Sequence, residues 1–131
     1  MSEFDVHITL ENAIEHYNNG RIQEVVRLSK RILKISPNDP DALNLLGITA
    51  FQKGQLDIAK KLFQRAVQNA PDRPSFLNNL ANLLMEQNRV ADALKIYYRV
   101  LQLKPDLAEV RHNIGCLLQR QGKLKEAIEF Y

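Results

Sequence analysis

The chain has 131 residues, 45% of them hydrophobic and 25% charged, with a formal charge of +3, the balance of an ordinary folded domain rather than of a disordered polyelectrolyte. A lone cysteine, Cys116, cannot close an internal disulfide, so stability has to come from a buried core, and a reducing, cytoplasmic setting fits best. The residues from Met1 to Val6 carry acids instead of a basic stretch before an apolar one, and no apolar run reaches the ~20 residues of a membrane span, so neither a secretory signal nor membrane insertion is expected.

The predicted elements are helical hairpins in series. The first unit, about residues 6–39, has one helix ending at Gly20 and a second ending at Pro37. The second unit, about 40–73, repeats this with Gly54 and Pro71, and the third, about 74–107, with Asn88 and Pro105. The fourth, about 108–131, has Gly122 and stops at Tyr131. Glycine or asparagine ends a helix by entering the left-handed region, and proline ends it by lacking the N–H that would continue it. Both kinds of stop recur every 34 residues, which is a repeat and not a coincidence of composition. Between stops the apolar residues fall three and four apart, as in Leu43, Leu46, Gly47 and Ala50, or Leu56, Ala59, Phe63, Ala66 and Val67. Alternation at period two is absent, so no strand is expected.

Three further columns keep the same step: Ala13, Gly47, Ala81 and Gly115; Val25, Ala59, Ala93 and Ala127; and Ile32, Ala66 and Val100. Small residues in the first two let helix axes approach closely, while Phe63 and Tyr97 fill the space between successive hairpins. The run Ala42-Leu43-Asn44-Leu45-Leu46-Gly47 through Ala59, Phe63, Ala66 and Pro71 resembles the tetratricopeptide repeat, and Leu77-Asn78-Asn79-Leu80-Ala81 through Ala93, Tyr97 and Pro105 resembles the next copy. The likeness runs from Val6 to Tyr131. It departs from the family where the usual first aromatic is replaced by Thr9, Leu43, Leu77 and Arg111, and where the first unit has Asn12 and Ser29, as befits a degenerate terminal cap. It implies a single all-α domain of about four units, the last truncated, wound as a right-handed superhelical solenoid of antiparallel hairpins.

No catalytic residue, cofactor site or metal site is expected. His112 and Cys116 lie four apart on one helix face, but neither acid nor amide stands behind His112 as an orienter. The glycines are punctuation and form no phosphate loop. Arg27, Lys30, Arg31 and Lys34, continued by Lys60, Lys61, Arg65, Lys95 and Arg99, form a basic ridge. Without interleaved aromatics this reads as a solvated outer face, so no nucleic-acid partner is expected.

The resemblance implies instead a protein-interaction scaffold that holds a protein or peptide in a concave groove. The expected peptide-binding residues are Asn44, Ile48, Phe51, Asn78, Asn79, Asn82, His112 and Asn113, flanked by Leu10, Ile14, Tyr17, Gln52, Glu86, Cys116 and Arg120. Asn79 and Asn113 are one repeat apart and begin an asparagine ladder, interrupted by Glu11 and Leu45 in the first two units. Leu10, Ile14, Leu45 and Glu109 stand where relatives that clasp acidic chaperone tails use lysine, arginine or asparagine, which argues against that specialisation. The turn from Pro37 to Leu43 also resembles those of repeat segments that precede bacterial glycosyltransferase and sulfotransferase domains. The alternative role is therefore an amino-terminal, substrate-selecting segment of a larger enzyme. A fourth unit that stops at Tyr131 would leave Leu124, Ala127, Ile128 and Tyr131 without a covering helix, so self-association through that end is a further expectation.

Overall fold

A computed structural model describes residues 2–130, apart from the side chains of Phe4, Leu124 and Lys125. Among these residues the chain forms eight α-helices and no strand: α1 (Glu3–Asn18), α2 (Ile22–Ile35), α3 (Pro40–Gln52), α4 (Leu56–Asn69), α5 (Pro74–Glu86), α6 (Val90–Leu103), α7 (Ala108–Arg120) and α8 (Leu124–Ile128).

The anticipated stops are present as backbone geometry. Gly20, Gly54 and Gly122 have φ of 73°, 76° and 76°, and Asn88 takes the same left-handed region at 59°. The residue after each of them turns its N–H back to a carbonyl five residues earlier, from Arg21 to His16, Gln55 to Ala50, Arg89 to Leu84 and Lys123 to Leu118, all at 2.9 Å. That bond satisfies a carbonyl which the helix end would otherwise leave bare. The starts of α3 and α5 are equally local. The Asp39 carboxylate accepts from the Ala42 N–H at 3.0 Å, and Pro40 and Pro74 take first helical positions, where an N–H is dispensable.

The helices group into two compact units, Met1–Pro71 and Asp72–Tyr131. In the first, α1 packs on α2, α2 on α3 and α3 on α4. Ala13, Val25, Ile32, Ala59 and Ala66 are wholly buried there, so the small-residue columns do mark the close approaches. One such approach is at Gly47, where a Cβ would stand only 2.5 Å from Cε1 of the buried Phe63 ring. Ser29, at the repeat position of Phe63, is buried too, and its hydroxyl has no hydrogen-bond partner among the described residues.

In the second unit α5 packs on α6, α6 on α7 and α7 on α8. Ala81, Ala93, Tyr97, Val100, Ile114 and Ala127 are fully buried. Of the residues expected to lack a covering helix, Ile128 is 65% exposed, whereas Ala127 is fully buried where α8 packs on α7, which corrects that part of the expectation. The Leu124 side chain and Tyr131, which belong to the same expectation, lie outside the described residues.

Candidate peptide-binding site

Helix spacing sorts the asparagines of the second unit before any contact is considered. On α5, Asn78 and Asn82 are four apart and Asn79 and Asn82 three apart, so the three share one side of the helix. On α7, Asn113 and Cys116 are three apart beside His112. All three asparagines of α5 and Asn113 are half-buried, and His112 is exposed.

Tyr97, reaching across from α6, ties the two helices together. Its hydroxyl donates to Oδ1 of Asn82 and accepts from Nδ2 of Asn113 at 3.4 Å. Burial pushes the phenol up to about 12, because taking a phenolate out of water is costly; nearby Glu109 adds to the rise and the Asn113 bond opposes it. A hydroxyl that donates once and accepts once sets the orientation of both amides. It occupies the oxygen of Asn82 and the nitrogen of Asn113, leaving the Asn82 N–H groups and the Asn113 carbonyl uncommitted to that bond. Oδ1 of Asn78 is buried with no hydrogen-bond partner among the described residues. Sequence reasoning placed these asparagines but missed Tyr97, which it treated only as filler. The available signal was its hydroxyl, since Phe63 fills the same repeat position without one.

In the first unit α3 carries the expected contacts, and they separate. Ile48 and Phe51 are half-buried, three residues apart, whereas Asn44 is only 9% exposed. Leu10 and Tyr17 pack against a cluster of Ala13, Val25, Leu28 and Leu45, so they serve the core as well as the surface, while Ile14 is 42% exposed.

His112 Nε2 lies 3.5 Å from Cys116 Sγ. Among the described residues, however, no group of three or more His, Cys, Asp or Glu side chains could hold a metal ion. Several cations of the basic residues engage their own chain. Arg27 meets Glu24 at 2.7 Å, Arg89 meets Asp92 at 2.8 Å, Arg99 meets Asp72 at 3.3 Å, and Arg65 donates to the Pro37 carbonyl at 2.9 Å. No helix among the described residues is long and apolar enough to cross a membrane.

Two family models, each described as tetratricopeptide repeat, match residues 44–108 and 107–131. The chain belongs to the tetratricopeptide repeat family, whose general role is to scaffold association between proteins, and its fold is an all-α helical repeat. Solved structures agree. One is a mutant of the Thermobaculum terrenum O-GlcNAc transferase, 28% identical over 90% of this chain with a TM-score of 0.81, although the match covers only 23% of the transferase. MamA is similar over 95% of this chain and 73% of its own, at 18% identity and a TM-score of 0.86. A MamA mutant matches 98% of this chain and 74% of its own, at 23% identity and a TM-score of 0.82. The two MamA likenesses bear on the fold alone. No curated protein sequence gives a significant match.

Proposed function

We propose that this chain is a single cytoplasmic domain of four repeat units that binds, and does not chemically alter, an extended peptide segment. The observation that carries the reading is the clamp at Tyr97. By fixing Asn82 and Asn113 with opposite halves of their amides uncommitted to it, the phenol presents a donor from α5 and an acceptor from α7. A peptide backbone needs one of each at every step, so amides held this way grip main chain without reading side chains. Asn79, equivalent to Asn113 by one repeat, extends the series, with Asn78 and His112 beside it. In the first unit the partly exposed pair Ile48 and Phe51 offers apolar surface for a hydrophobic side chain, with Asn44 behind it.

The test uses peptides selected against the chain from a displayed random library. Replacing Asn79→Ala together with Asn113→Ala removes two bonds of about 0.5–1.5 kcal/mol each, which predicts roughly tenfold weaker binding by calorimetry with unchanged helical circular dichroism. Binding as tight as that of the parent would show the asparagines to be structural and place recognition elsewhere. The 28% identity to the repeat segment of the O-GlcNAc transferase favours a second reading, in which the repeats select substrates for an enzyme domain. Sequencing the native reading frame beyond Tyr131 separates the two: a glycosyltransferase or sulfotransferase domain there supports the second.

A further inference from the structure

Away from the asparagines, the first unit has a cleft of about 320 Å³ between α2 and α4, floored by the end of α3. Val26, Leu46, Ile58 and Leu62 give it an apolar interior, and the two charged side chains on its wall are both lysines, Lys30 and Lys53. Ile58 is 53% exposed at its edge, on a helix whose buried apolar residues are Ala59, Phe63 and Ala66. At the repeat position of Ile58 the third and fourth repeats carry Asp92 and Glu126. The exposed isoleucine is therefore particular to this place and not a requirement of the repeat.

The second unit shows what closes such a cleft. Two 34-residue steps after Lys30 and Leu62 stand Tyr98 and Phe130. Those rings meet edge to face with centroids 5.9 Å apart, and the Arg111 guanidinium covers Phe130 at 5.4 Å from its centroid. The positions that meet as an aromatic pair in one unit are thus a flexible lysine and a smaller leucine in the other. The volume lies at the lower end of the range for ligand sites, about 300–1,000 Å³, and suits one large side chain better than an organic cofactor.

We propose that the α2–α4 cleft is a second binding site, which takes an aromatic side chain from an acidic peptide segment of another protein. The ring fills the space that Tyr98 and Phe130 fill in the second unit and covers Ile58. Carboxylates flanking the ring meet Lys30 and Lys53, contributing to the encounter rate and to discrimination between partners, and weakening as salt screens them. Such a site leaves the Asn82–Tyr97–Asn113 clamp untouched, so the domain can hold two partners at once.

The probe is the blocked peptide Asp-Glu-Phe-Glu-Asp, titrated to millimolar concentration into the full chain with labelled methyl groups. The expected result is saturable shifts of the Val26, Leu46, Ile58 and Leu62 methyls. These shifts should be lost when the phenylalanine becomes alanine or the acids become lysines, and should shrink in high salt. The variant Lys30→Tyr with Leu62→Phe copies a pair the chain already accommodates and should weaken the peptide at least tenfold without lowering the thermal midpoint. Ile58→Glu, a charge the fourth repeat carries at that position, should do the same by a route that leaves both lysines in place. Shifts that are absent, that survive both variants, or that the lysine peptide reproduces overturn the proposal. So do the same methyl shifts on raising the protein concentration alone, because a second copy would then be the occupant.

Discussion

Phe63 and Tyr97 occupy the same position of successive repeats and are buried alike, yet they serve their units differently. Phe63 lies so close to α3 that only glycine fits opposite it, and the contact is purely one of shape. Tyr97 has Ala81 at the matching position and spends its hydroxyl on two asparagines. The first unit is thus held at this point by packing, the second by packing plus a polar link that also orients candidate binding groups. One added oxygen turns a structural column into part of a site.

The largest effect that would break this comparison is loss of the first ring. Phe63→Ala should cost about 3–5 kcal/mol in chemical denaturation, because the cavity it leaves faces a helix fixed by its own caps. Gly47→Ala should cost about 1–3 kcal/mol by overpacking, and Phe63→Leu in the same chain should return part of that loss. Simple additivity of the two changes would mean that the glycine and the ring do not confront each other.

Tyr97→Phe sharpens the other side of the contrast. It should cost about 0.5–1.5 kcal/mol and leave Asn82 and Asn113 less ordered, seen as line broadening of their side-chain amides. It also changes the alkaline limb of stability. An unfolded tyrosine ionises near pH 10 and Tyr97 in the folded chain near 12, so above pH 10 the unfolded state loses its proton first. The contribution is fully present below about pH 10 and is lost as pH rises toward 12. Denaturant midpoints measured at pH 9 and 11 should fall more for the parent than for Tyr97→Phe. Tyr98, whose phenol is also pushed up by burial, remains in both proteins and cancels.

The smallest expected change is at Ser29, which fills the aromatic position in the first hairpin with a hydroxyl that has no hydrogen-bond partner among the described residues. Ser29→Ala removes a desolvated group at almost no loss of volume and should be neutral or gain up to about 1 kcal/mol. A loss larger than that would reveal a hydrogen bond made through water.

Much of the fold was readable because each of the first seven helices is stopped by its own residues or by a proline just beyond them. Gly54 and Pro71 act within a turn or so of themselves, so the 34-residue recurrence of their columns gave hairpin number and order directly. The columns gave the core for the same reason, since a small residue repeated on one helix face has few uses besides close approach. The site was legible only in part. Asn79 and Asn113 stood out by spacing, whereas their neighbours depended on which side chains α6 delivers between α5 and α7. Asn44 shows the same limit, for identical chemistry left it almost buried in the first unit while Asn113 kept one amide half uncommitted to Tyr97 in the second.

The sequence by itself determined the helices, their stops, the repeat and the family, all of which follow from local propensities and a fixed period. Only the tertiary structure decided that the Tyr97 hydroxyl joins two amides and that the α2–α4 cleft stays open where Tyr98 and Phe130 meet in the second unit. Those outcomes turn on the length and polarity of single side chains meeting across helices, and a periodic pattern records that a position is filled without recording what its far end touches.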